Sequence, residues 1–244
     1  MHQSGKERRE SAFDVALQRW FHAITGHVAF GIFLGAWSFV SQILIFCCIW
    51  LFVRSGGIIF LAAIIPCAAI CGGFWASVHG MNRQLQFGHV SYLFQEFWKH
   101  MRQNFLQGAC FGILLALACA MLYLPVVVFQ MLETEIPFAL LCVILFGTLL
   151  LPVLADYTFY QISHWKIELF AAIQNSFFLM FRMGWRSIAV CVVWLAYYCL
   201  MIVFPPVLAP LSLFCGLLSV LNATTQAMFV PRIDAQMEAC SATS

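Results

Sequence analysis

Along this chain the polar positions cluster and the apolar positions run together. Six stretches, about 29–53, 58–78, 108–131, 138–160, 187–204 and 207–229, carry one charged residue between them, Asp156. Each is near the roughly 20 residues a helix needs to cross about 30 Å of hydrocarbon. Runs such as Ile43-Leu44-Ile45-Phe46 do not alternate. A transmembrane barrel strand alternates residue by residue, so helices are the expectation.

The separators are short: Arg54-Ser55-Gly56-Gly57, the acidic turn Glu133-Thr134-Glu135-Ile136-Pro137, and Pro205-Pro206. The last stretch loses its strongly apolar character near Leu221, and Asn222-Ala223-Thr224-Thr225-Gln226 follows. The pattern predicts a full span there, with a re-entrant segment as the alternative. Asn222-Ala223-Thr224 also matches a glycosylation sequon, which is read as incidental inside a membrane segment.

Two of the longer separators are amphipathic. In 90–106, Val90, Leu93, Phe94, Phe97, Trp98, Met101 and Phe105 recur at helical spacing, with Glu96, Lys99, Arg102 and Gln103 largely elsewhere. In 165–183 the same pattern falls on Trp165, Leu169, Phe170, Ile173, Phe177 and Phe181. A shift of 76 residues lays Leu93 on Leu169, Met101 on Phe177 and Gly108 on Gly184. Each segment precedes a span, which suggests a unit of span, interfacial helix, span, occurring twice in parallel orientation. The N-terminal segment 1–28 is a third amphipathic stretch, with Phe13, Leu17, Trp20, Phe21 and Ile24 on one face. It is too charged, and its first apolar run too long, for a cleavable signal.

The basic residues set the orientation. Every Lys and Arg except Arg54 falls on one side if the N-terminus is inside. Short-loop basic bias then predicts both termini in the cytoplasm, with a cytoplasmic tail at 230–244. Composition agrees. Apolar residues make up 63% and charged residues 9%, against about 25% charged in a soluble domain. The predicted class is all-α: a polytopic membrane protein with six transmembrane helices, or five if the last is re-entrant, plus cytoplasmic amphipathic helices. The lipid bilayer is its first partner, and nothing in the charge pattern points to nucleic acid.

The residues offer little catalytic chemistry. Ten of the eleven cysteines lie in the apolar stretches, without a C-x-x-C pair, so they read as small packing residues rather than metal ligands. The seven histidines, His79 among them, lie in the cytoplasmic segments or at the inner ends of spans and read as solvated or interfacial. Asp156 is the one acid inside a span, about a turn from its inner end. It reads as an interfacial anchor or as a partner of Arg182 or Arg186. No phosphate loop, nucleophile elbow or H-E-x-x-H pair is present. The expectation is a non-enzyme without cofactor or metal. Pro66 with Gly72 and Gly73, and Gly147 with Pro152, together with Asp156, are the candidate pathway or helix-break residues. Trp98, Lys99, Arg102, Trp165 and Arg182 are the candidate docking residues.

The segment Phe94-Gln95-Glu96-Phe97-Trp98-Lys99-His100-Met101-Arg102-Gln103-Asn104-Phe105 resembles the aromatic, basic stretch before the third span of the YesL-like bacterial membrane family. The order of elements from about 31 to 229 is similar as well. Where that family often carries Gly-Pro in its second span, this chain has Ile65-Pro66. The resemblance implies a protein of the bacterial cytoplasmic (inner) membrane, often encoded near carbohydrate ABC importers, whose domain has no assigned function. It therefore implies a non-catalytic accessory of a sugar-import system, with ABC permease subunits as the partner class. A small-solute transporter or channel in its own right is the alternative.

Overall fold

The computed structural model describes residues 18, 25–55, 57–87, 92–165 and 167–241. The amphipathic N-terminal segment lies almost wholly outside them. The described residues form eight helices and no strand: α1 Val28–Ser55, α2 Ile58–Phe87, α3 Leu93–Met131, α4 Phe138–Trp165, α5 Leu169–Arg182, α6 Trp185–Val203, α7 Pro205–Phe214 and α8 Leu217–Ser241. Five are long and apolar enough to cross a membrane, and a sixth span results if α7 and the start of α8 count as one bent crossing. The protein is thus an all-α, multi-pass membrane protein.

Register contacts fix the helix directions. Ser41 meets Cys71 and Trp37 stacks on Phe74, so α1 and α2 are antiparallel. Gly72 lies on Gly112 and Gly80 on His100, so α3 runs back along α2. Tyr123 pairs with Thr148, and Phe111 packs on Phe159, so α4 reverses again. The bundle therefore has a proximal end, where α1, α3 and α6 begin and α2 and α4 finish, and an opposite distal end.

The closest packing is between α2 and α3. A Cβ on Gly72 would fall 2.2 Å from the Gly108 carbonyl oxygen, and one on Gly112 would fall 2.3 Å from that of Ala68. Small residues at this spacing let two membrane helices approach backbone to backbone, where dispersion replaces the missing hydrophobic drive. Gly72, Gly73 and Gly147 are used in this way. Gly73 accommodates the Phe105 ring and Gly147 the Leu122 side chain.

The two halves of the suggested repeat differ in detail. α2 and α4 run in the same direction, as parallel copies require. In the first half, the amphipathic segment and the span are one continuous helix of 39 residues. In the second they are separate helices, broken at Gly184, whose φ is +52°. Gly108, its counterpart, stays helical because it is buried against Gly72 and Ala76. Gly184 has no atom near its missing Cβ and is free to take the left-handed backbone that glycine tolerates.

The sixth apolar stretch is not one straight helix. α7 and α8 meet at 78°, at Gly216 with φ +66°. Gly216 sits against the Gly31 carbonyl and Ile32 of α1. From there α8 passes Asn82 and Gln86 of α2, then Tyr157 and Tyr160 of α4, which meet Phe229 edge-on. The Met228 carbonyl accepts a hydrogen bond from Arg186 at the start of α6. A helix that touches four others within about 20 Å of its length lies across them. α8 is a crossbar on the proximal half of the bundle.

Candidate functional site

A buried polar cluster lies where α2, α4, α6 and α8 converge. On α2, His79, Asn82, Arg83 and Gln86 follow each other at one-turn spacing. On α4, Asp156, Tyr160 and His164 do the same. Because these helices are parallel, the two stripes face each other in register. His79 Nε2 lies 3.1 Å from Asp156 Oδ1. Arg83 Nε donates to the Tyr160 hydroxyl at 3.1 Å, and its Nη1 lies 2.8 Å from His164 Nδ1.

The His79–Asp156 pair is enclosed. His79 is fully buried and the Asp156 side chain is 5% exposed. Trp194 of α6 donates its indole N–H to Asp156 Oδ2 at 2.7 Å. The His79 Nδ1 lies 2.9 Å from the Trp75 carbonyl oxygen. Trp75 and Phe159 flank the imidazole, and Trp75 meets Trp194 edge-on. α8 closes the remaining side. Asn222 Nδ2 is 2.8 Å from His79 Nε2. Gln226 Nε2 donates to the His79 carbonyl at 3.1 Å and to Asn222 Oδ1 at 3.0 Å. Asn82 Nδ2 donates to Asn222 Oδ1 at 2.7 Å, and Ser219 donates to Asn82 Oδ1 at 3.2 Å.

These contacts revise three readings from the sequence. Asp156 pairs with His79 and Trp194; Arg186 instead bonds the Met228 carbonyl. His79 is an interior residue of the bundle, neither solvated nor interfacial. Asn222 is fully buried, which leaves no room for a glycan.

The other candidates fall elsewhere. Pro152 lies in α4, one turn before Asp156, whereas Pro66 lies in α2, 13 residues before His79. Trp165 is half-buried and packs edge-on against Tyr160, so it supports the bundle rather than a surface. Arg182 is exposed in the last turn of α5. Trp98, Lys99 and Arg102 share one exposed face of α3 with Gln95 and Gln103, around an open recess. Lys99 pairs with Glu96 at 3.2 Å. Trp98 is 48% exposed, and no hydrogen bond or ion pair joins Arg102 to a described residue. All ten described cysteines are free. The nearest pair, Cys48 and Cys67, has sulfurs 3.8 Å apart. Among the described residues no three His, Cys, Asp or Glu side chains converge as metal ligands would.

The cluster and its helices define a multi-pass helical membrane protein with an ionisable pair closed inside its bundle. Compared with known proteins, the chain matches no family model, no curated sequence and no solved structure.

Proposed function

We propose that this chain is a non-catalytic protein of the bacterial cytoplasmic membrane, with both termini inside, that docks to permease subunits of a carbohydrate ABC importer. The observation that supports docking is the exposed face of α3. At 39 residues that helix is about 58 Å long, nearly twice the hydrocarbon thickness. Its proximal third offers an exposed tryptophan beside Arg102, and such pairs anchor protein interfaces. The partner class comes from the resemblance to the YesL-like family, and the orientation from the placement of basic residues.

Tagged protein purified from native membranes in mild detergent tests the reading. Permease subunits are expected to co-purify, and Lys99→Glu with Arg102→Glu should reduce their recovery at least tenfold without lowering the amount of inserted protein. Unchanged recovery removes this face as the docking site. A second reading, a small-solute transporter or channel, is favoured by the polar cluster between the Pro-interrupted helices α2 and α4, since ionisable groups inside spans commonly mark solute or proton paths. Reconstituted vesicles that pass no sugar or ion would dismiss it.

A further inference from the structure

The hydrogen bonds around His79 form a chain in which each orientation fixes the next. A backbone carbonyl only accepts, so Gln226 must turn its Nε2 toward the His79 carbonyl. That same nitrogen, with Asn82 Nδ2, faces Asn222 Oδ1. The remaining atom of Asn222, its Nδ2, therefore points at His79 Nε2, 2.8 Å away. On the other side of the ring, Nδ1 must donate its hydrogen to the Trp75 carbonyl. In this arrangement Nε2 carries no hydrogen and accepts one from Asn222.

A second group is waiting at the same nitrogen. Asp156 Oδ1 lies 3.1 Å from Nε2 but can bond it only through a proton. A proton on Nε2 would bond to Asp156 and would oppose the N–H of Asn222. Nε2 thus has two rival partners on two different helices, and one proton decides between them.

We propose that His79 and Asp156 form an internal proton-binding site and that Asn222 transmits its occupancy to α8. With Nε2 unprotonated, the Asn222 bond holds α8 across the bundle. Protonation forms the His79–Asp156 ion pair and detaches α8, which can swing at Gly216. The reaction is proton addition alone, with no other bond made or broken in the chain. The sign follows from linkage: the detached form is the one that takes up the proton, so acid favours it. Histidine is the side chain suited to this between about pH 5 and 8.

The other titratable groups around the pair are known element by element. α2 contributes Arg83, α3 His100 against Gly80, α4 Tyr157, Tyr160 and His164, and α6 Arg186, Tyr197 and Tyr198. α1 from 28 to 46 and α8 from 217 to 229 contribute none. The inference is independent of which partner docks on α3.

Hydrogen exchange of the full-length protein in lipid vesicles, followed by mass spectrometry and corrected for intrinsic pH dependence, tests it. Peptides covering 217–229 should lose protection from about pH 7.5 to about pH 5, approaching tenfold per pH unit below the midpoint, the limit for one linked proton. Peptides from the distal half of α4 should not change. His79→Gln places an acceptor toward Asn222 and a donor toward Asp156 at every pH, and should make α8 protection flat. Asp156→Asn removes the acceptor for the proton and should move the loss to lower pH. Flat protection in the natural chain overturns the proposal without any variant. So does a His79→Gln profile that falls like the natural one.

Discussion

Trp194 shows how much one side chain carries in this interior. Its indole N–H bonds Asp156 Oδ2 at 2.7 Å, and both residues are buried. Trp194→Phe keeps most of the ring but leaves a buried carboxyl oxygen without its donor. Interhelical hydrogen bonds in membranes contribute about 0.6 kcal/mol on average and about 1.7 at most, while an orphaned buried acceptor costs about 1–3. We expect Trp194→Phe to destabilise the bundle by about 1–3 kcal/mol in a reversible unfolding titration in detergent. The exposed Tyr123–Thr148 bond is the comparison. Thr148→Val should cost under about 0.5 kcal/mol, because Tyr123 can rotate toward another partner. Equal losses would mean that the His79–Asp156 enclosure contributes nothing special. At this scale the sequence is half legible. Asp156 stands out because it is the one acid in a span. Its partners do not, because His79, Asn222 and Gln226 come from helices 77 and more residues away, and only the register of α2 against α4 and α8 brings them together. The one-turn spacing of His79 and Arg83, matched by Asp156 and Tyr160, was the available signal.

At the scale of elements, glycine position separates what the pattern reveals from what it hides. The apolar runs locate the helices, because length and hydropathy are properties of a segment. The break at Gly216 is hidden, because glycine is common in membrane helices and only the contact with α1 explains this one. Gly31 and Gly35 of α1 make the point one turn apart. A Cβ on Gly31 meets nothing within 4 Å, whereas one on Gly35 would fall 2.3 Å from the Gly216 Cα. Backbone cannot move aside as a side-chain tip can. Gly31→Ala should be neutral or stabilising, by up to about 1 kcal/mol from helix propensity. Gly35→Ala should push α8 off α1 and lower the thermal midpoint, by several degrees in a fluorescence melt. If both variants melt alike, the crossbar is not seated on α1. The same reasoning explains why Gly108 and Gly184, superposed by a shift of 76 residues, behave differently. The first is held straight by α2 and the second is held by nothing.

The whole molecule turns on where the last two helices go. α6 starts at the proximal end, where Arg186 bonds Met228 and Ser187 meets Tyr157. Its 19 residues rise about 28 Å, close to a full crossing. α7 returns beside it, with Ser212 against Tyr197, but its ten residues descend only about 15 Å. A straight continuation would finish the crossing. The turn at Gly216 instead sends α8 sideways, and its contacts with Gln86, Tyr160 and Arg186 keep it at the proximal end through Phe229. The chain leaves the bundle on the side where α1 entered, whether the bent pair is named a broken span or a re-entrant one. Reporter fusions after Ser244 and before Val28 should therefore report the same side, and one inserted in the turn at Glu133–Glu135, between the distal ends of α3 and α4, should report the other. Opposite signals from the two termini would mean that α8 continues through the membrane. That result would also dissolve the polar cluster, because Asn222 cannot stand beside His79 in a helix that runs past it to the far side.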